Sequence, residues 1–183
     1  MTDLRGWTRG LSALAVVTMV AGVLIGRALL HEDGTDTQTL AQGHPILFGA
    51  PRRCSGDARP ARRAGRAEQQ ARLHAERYPY DPRDGVQAAL LFQEARSCYQ
   101  KAGLSEHAKR AEALASSLTA RVRVDYASSR LVLDNALASE KWAVALVELH
   151  RLLRLTEHVR DHAYVEYLRS ILGKVTIRAN DAS

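Results

Sequence analysis

Leu104 to Ser139 reads LSEHAKRAEALASSLTARVRVDYASSRLVLDNALAS, a run without glycine or proline. Ala108, Ala111, Ala115, Leu118 and Val122 recur at steps of three and four, the spacing of a buried helix face. Arg121-Val122-Arg123-Val124 is the only strand-like spot, and four residues do not outweigh their surroundings. The spacing predicts one long helix, with room for a bend near Asp125, rather than two short ones. Alanine and straight-chain residues lose little entropy in a helix. They make up much of the 46% apolar content, against only 5% aromatic. The fold class that follows is all-α.

Outward from this run, start and stop signals divide the rest. Upstream, Gly103 ends a helix that opens at Asp81, an N-cap, followed by Pro82 at the first helical position. Before the Tyr78-Pro79-Tyr80 turn a shorter helix is expected over Ala67 to Arg77. Downstream, Ser139 is expected to cap a helix from Lys141 to Leu155, and Asp161 one reaching Val175. Residues 31–66 are polar, carry Pro45, Pro51, Pro60, Gly56 and Gly65, and read as a tether. Within it Ile46-Leu47-Phe48 is an apolar island able to dock on the helical body. The domains expected are therefore 1–30, 31–66 and 67–183.

Leu11 to Leu30 is almost wholly apolar, about the length that crosses a bilayer as a helix, with Trp7 at its edge and Arg27 near its end. No small-x-small cleavage site follows, so an uncleaved anchor is expected. Arg5 and Arg9 precede the span, whereas Glu32, Asp33 and Asp36 follow it. Positive-inside counting then leaves the N-terminus inside and the body outside the cytoplasm, at the inner membrane. Thr18, Gly22 and Gly26 share one face of the span, a spacing that lets two such helices meet and makes a homodimer one option.

Two helix faces resemble the second helix of the tetratricopeptide repeat (TPR), a small residue followed by a large one four later. One is Ala95, Tyr99 and Ala102. The other is Trp142, Ala145, Leu149 and Leu152, with Trp142 expected as a core anchor. The copies lie about fifty residues apart rather than the usual thirty-four or so, so the resemblance implies an irregular array. It also implies a non-catalytic interaction module that holds another envelope or membrane protein. The alternative is a structural subunit of a larger membrane complex.

Cys54 and Cys98 are the only cysteines. They are too few for a scaffold or a zinc site, but outside the cytoplasm they could form one bridge pinning the tether to the helices. The net charge of +6 is carried mainly by arginine. Eight arginines fall between Arg52 and Arg77, either as a solvated face or as a contact for anionic headgroups or an acidic partner. Aromatic interleaving is absent, which argues against nucleic acid. No phosphate loop, nucleophile elbow or zinc helix is present, so no cofactor or metal is expected. His158 and His162 stand four apart around an expected helix start and read as surface residues, and Glu148 and His150 face different ways.

Overall fold

The structure, a computed structural model, describes residues 43–56 and 59–181. Among them are five α-helices and no strand: α1 (Pro60–Arg77), α2 (Pro82–Lys101), α3 (Ser105–Ala138), α4 (Trp142–Leu155) and α5 (Ala163–Asp181). The expected span at 11–30, with Thr18, Gly22 and Gly26, lies outside the described residues. Among the described residues no helix is long and apolar enough to cross a membrane.

Helix α3 is unbroken over 34 residues, about 51 Å at 1.5 Å per residue. One stripe of it is buried: Ala108, Ala111, Ala115, Val122, Tyr126, Ser129, Leu133 and Ala136. The first part of that stripe packs with Phe92, Ala95, Cys98 and Tyr99 of α2. The last part packs with Ala145, Leu149 and Leu152 of α4. Helix α3 is thus a spine, with α2 along its first half and α4 along its second. Helices α1 and α5 pack on α2 and α4, and α2 also meets α4. Ala64, Ala67 and Ala71 of α1 meet α2 in reverse chain order, from Cys98 back to Phe92, so this pair is antiparallel. The alanines allow the close approach.

The ends of the helices explain where the sequence reading holds and where it needs correction. Asp81 does cap α2, its carboxylate accepting from the Arg83 amide at 3.1 Å. Gly103, at φ +72°, closes α2: the Leu104 amide donates to Tyr99 O at 2.9 Å and the Gly103 amide to Gln100 O at 3.1 Å. This is the Schellman arrangement. Helix α3 ends the same way without a glycine. Ser139 ends α3 rather than capping α4, and Glu140 takes the left-handed position at φ 54°. Lys141 N–H then donates to Ala136 O at 2.8 Å. Ser105 lies inside α3 and makes no cap bond. Asp161, also at φ 54°, cannot take the extended backbone of an N-cap; His162 caps α5 through Nδ1, which accepts from the Tyr164 amide at 3.1 Å. The last helix runs six residues past Val175.

The expected tether needs the largest correction. Helix α1 starts at Pro60, not Ala67, with proline at the position that lacks a hydrogen-bonding duty. Ahead of it, residues 43–54 lie on the helices as a strap. Leu47 and Phe48 are buried in the core, while Ile46 points out. His44 packs edge-on to Tyr164 and accepts from Arg130, and His158 Nε2 donates to Leu47 O at 2.8 Å. Burial first, then Arg130, holds the His44 imidazole below its usual pKa, which suits a neutral acceptor. Arg123 lies over the Phe48 ring at 5.8 Å. At the far end Cys54 is bonded to Cys98, with Cα atoms 4.8 Å apart, and its amide donates to Ser97 Oγ at 3.0 Å. Ten extended residues reach about 33 Å, and α3 rises about the same distance between Arg130 and Ala108. The strap is therefore just long enough to lie along the spine.

Candidate functional site

The turn between α1 and α2 builds an open cleft against α3 and α4. Tyr78, the first residue past α1, is 4% exposed and lays its ring on Gly85, where a side chain would collide. Its hydroxyl donates to Asp125 of α3, and the Arg121 guanidinium sits 5.3 Å from its ring centroid. Burial raises the Tyr78 phenol well above its ordinary pKa, and the Asp125 carboxylate raises it further, so Tyr78 is a permanent donor. Arg151 of α4 approaches the same carboxylate at 3.8 Å. Tyr80 is 90% exposed on the rim. The cleft, of about 570 Å³, is completed by Pro79, His150 and Arg154.

Its charges do not balance. Asp125 is engaged by Tyr78 and Arg151. Asp81 is engaged by the amide and guanidinium of Arg83, the latter at 3.0 Å. Arg154 reaches only the exposed Glu157, at 3.7 Å. Arg83, Arg121, Arg151 and Arg154 thus outnumber Asp81, Asp125 and Glu157 by one, and Tyr80 offers an open ring beside them. Guanidinium groups around an aromatic rim suit a carboxylate-bearing segment, which they can grip in a bidentate way.

On the other side of the turn, Asp84 is 5% exposed. It is held by His74 Nδ1 at 2.6 Å and Arg77 Nε at 2.7 Å. The Arg77 bond is the main reason its carboxyl stays below the usual range, prevailing over burial, with His74 adding to it. This cluster ties the end of α1 to the first turn of α2 and so fixes the cleft's wall.

The residues singled out from the sequence fall elsewhere. Ala95 and Tyr99 are buried, and Ala102 is half-buried at the end of α2. Ala95 and Tyr99 sit with Cys98 beside Ala64, Ala67, Ala108 and Ala111. Tyr99 donates to Glu68 at 2.7 Å, and burial, then that bond, pushes its pKa up to about 12. Ala145, Leu149 and Leu152 are fully buried in the separate larger core. Trp142 is corrected: as the first residue of α4 it is half-buried and lies outside the core clusters. His158 and His162 are engaged by the strap and by α5. Among the described residues no group of three or more His, Cys, Asp or Glu converges as for a metal. Sequence reading missed Tyr78, Arg121, Asp125, Arg151 and Arg154 as a set. The available signal was Gly85, a glycine inside a helix that only a close neighbour explains.

Among the described residues, fold and site define a disulfide-strapped helical unit with a basic, tyrosine-rimmed cleft. No protein-family model, curated protein or solved structure matches the chain.

Proposed function

We propose that this chain is a membrane-anchored, extracytoplasmic interaction module that grips an acidic segment of another envelope protein in the cleft between Tyr80 and Arg154. The observation that carries the reading is the excess of guanidinium groups around an exposed tyrosine, positioned by three separate elements. Aromatic and arginine side chains so placed are the usual anchors of protein interfaces. The Cys54–Cys98 bridge supports an oxidising compartment, where such bonds persist. The apolar stretch Leu11 to Leu30 supplies the anchor, and the TPR-like faces around Ala95 and Ala145 are in keeping with an irregular helical-repeat scaffold.

Two measurements test this. A reporter that works only outside the cytoplasm, fused after Ser183, should be active. A photocrosslinking residue at Tyr80 should capture one protein at constant ratio, and Arg121→Glu with Arg154→Glu should abolish the capture. Capture unchanged by those charge reversals would refute the role of the cleft.

A further inference from the structure

About 30 Å from the cleft, one length of α2 away, the other end of the α1–α2 pair gathers positive charge. The end of the strap brings Arg52 and Arg53 there, because Cys54 is bonded to Cys98 in the last turns of α2. Ala64 and Ala67 pack against Cys98, Ala108 and Ala111, which places the first turns of α1 and α3 at the same end. Arg62, Lys101 and Arg110 are therefore neighbours of this strap end, and all are exposed.

The described acids in this neighbourhood are already engaged. Glu94 takes Arg63 at 2.7 Å, Glu68 takes Arg72 at 2.6 Å and the Tyr99 hydroxyl, and Glu106 takes Lys109 at 3.0 Å. Arg52, Arg53, Arg62 and Lys101 form no ion pair with a described residue. The first turn of α1 holds no acidic side chain and has no side-chain cap, so the positive end of its dipole adds to the same field. In the turn after Lys101, the apolar side chain of Leu104 is left 38% exposed beside these bases.

We propose that this end of the bundle docks on an anionic bilayer surface, with Arg52, Arg53, Arg62 and Lys101 among the headgroups and Leu104 at the hydrocarbon boundary. Clustered bases around a small apolar tip are what such a surface attracts. The same set lacks the aromatic rings that a single-stranded nucleic acid would stack upon. The inference rests on the anchored reading above but not on the cleft.

The test uses the full chain with a benzoylphenylalanine at position 62, mixed with vesicles of phosphatidylcholine alone or with added phosphatidylglycerol. Flotation with phosphatidylcholine alone reports the anchor, separately from the docking surface. Docking should give lipid adducts at position 62 whose yield rises with phosphatidylglycerol and falls with salt. Each base lost should weaken the anionic preference roughly fivefold, so Arg52→Glu, Arg53→Glu and Lys101→Glu together should remove it. The single change Lys101→Gln should lower it by about that one step. Formation of the Cys54–Cys98 bridge on non-reducing gels reports that each variant is folded. A probe at Ile177, exposed on α5, should show no lipid dependence. Equal yields in both vesicle types, or adducts at position 62 to protein or nucleic acid without lipid, would overturn the proposal.

Discussion

Replacing Gly85 with alanine should destabilise the helical unit, although the same change in an open helix stabilises it by about 1 kcal/mol. A Cβ on Gly85 would lie 2.4 Å from both Cδ2 and Cε2 of Tyr78 and 2.9 Å from its Cγ. Comfortable carbon contacts are about 3.5–4.0 Å, so the ring would have to retreat by more than an ångström. It has little freedom to do so. Its hydroxyl is bonded to Asp125 and Arg121 lies over its face. Overpacking costs about 1–3 kcal/mol. Loss of the bond to a charged acceptor adds roughly 1–2 kcal/mol once partial exposure of Asp125 is allowed for. After the helix gain is subtracted, Gly85→Ala should cost about 1–4 kcal/mol, lowering the melting temperature by several degrees. The assay is thermal and urea unfolding of the full chain in mild detergent, followed by circular dichroism. Tyr78→Ala supplies the decisive background. With the ring gone, Gly85→Ala should become stabilising by roughly 1 kcal/mol, a reversal of sign that only direct contact produces. If Gly85→Ala is neutral or stabilising in the presence of Tyr78, the close approach is not real and the cleft wall is misplaced.

Four other outcomes follow from the packing. Cys54→Ser should cost about 4 kcal/mol in the chain-entropy picture, since the bridge spans a sequence separation of 44; proteolysis should then cut near Arg52 and Arg53 first, and an uncut strap would argue against its role. Glu140→Gly should stabilise by roughly 1 kcal/mol, because Glu140 holds a left-handed backbone that glycine adopts freely; a loss of stability would contradict that reading. Leu149→Ala should cost about 2–5 kcal/mol, while Trp142→Ala, at a half-buried helix start, should cost markedly less; the reverse order in urea unfolding would restore Trp142 to the core. Burial pushes Tyr99 and Tyr126 up to about 12, with Glu68 adding to the shift at Tyr99. The fold thus favours the neutral phenols, and the stability they contribute is complete below pH 10 and lost as pH rises toward 12; absorbance titration and melting should show the two transitions together, and ionisation of both with no loss of stability would refute it.

What the sequence made legible was the part governed by local rules. Asp81 with Pro82, Gly103, and the unbroken periodicity from Ala108 to Val122 each act within a turn or two, and the structure has α2 and α3 where those signals lie. The start of α1 was missed because Pro60 and Gly65 were read as loop residues, although proline belongs at a first helical position. The cap positions Ser139 and Asp161 failed for a related reason. Chain direction at those turns is set by packing, and Glu140 and Asp161 adopt backbone angles their residue types do not advertise. The cleft was not legible at all. Tyr78 and Asp125 are 47 residues apart, and nothing short of the antiparallel return of α2 and the full register of α3 brings them together. The disulfide lay between these cases: two cysteines invite pairing, but its reach depends on an extended strap.

Because both halves of the unit hang on one helix, their mutual orientation is a property of its residue count. Every residue between Ala108 and Leu133 contributes about 100° of rotation and 1.5 Å of advance. Adding or removing one near Asp125 would swing the α4–α5 pair a quarter-turn and more around the α1–α2 pair, pulling Arg151 away from Asp125 and shearing the strap that crosses both. Four residues would nearly restore the azimuth but slide the pairs about 6 Å apart. Helix α3 therefore works as a keyed shaft, on which substitutions are negotiable while length is not.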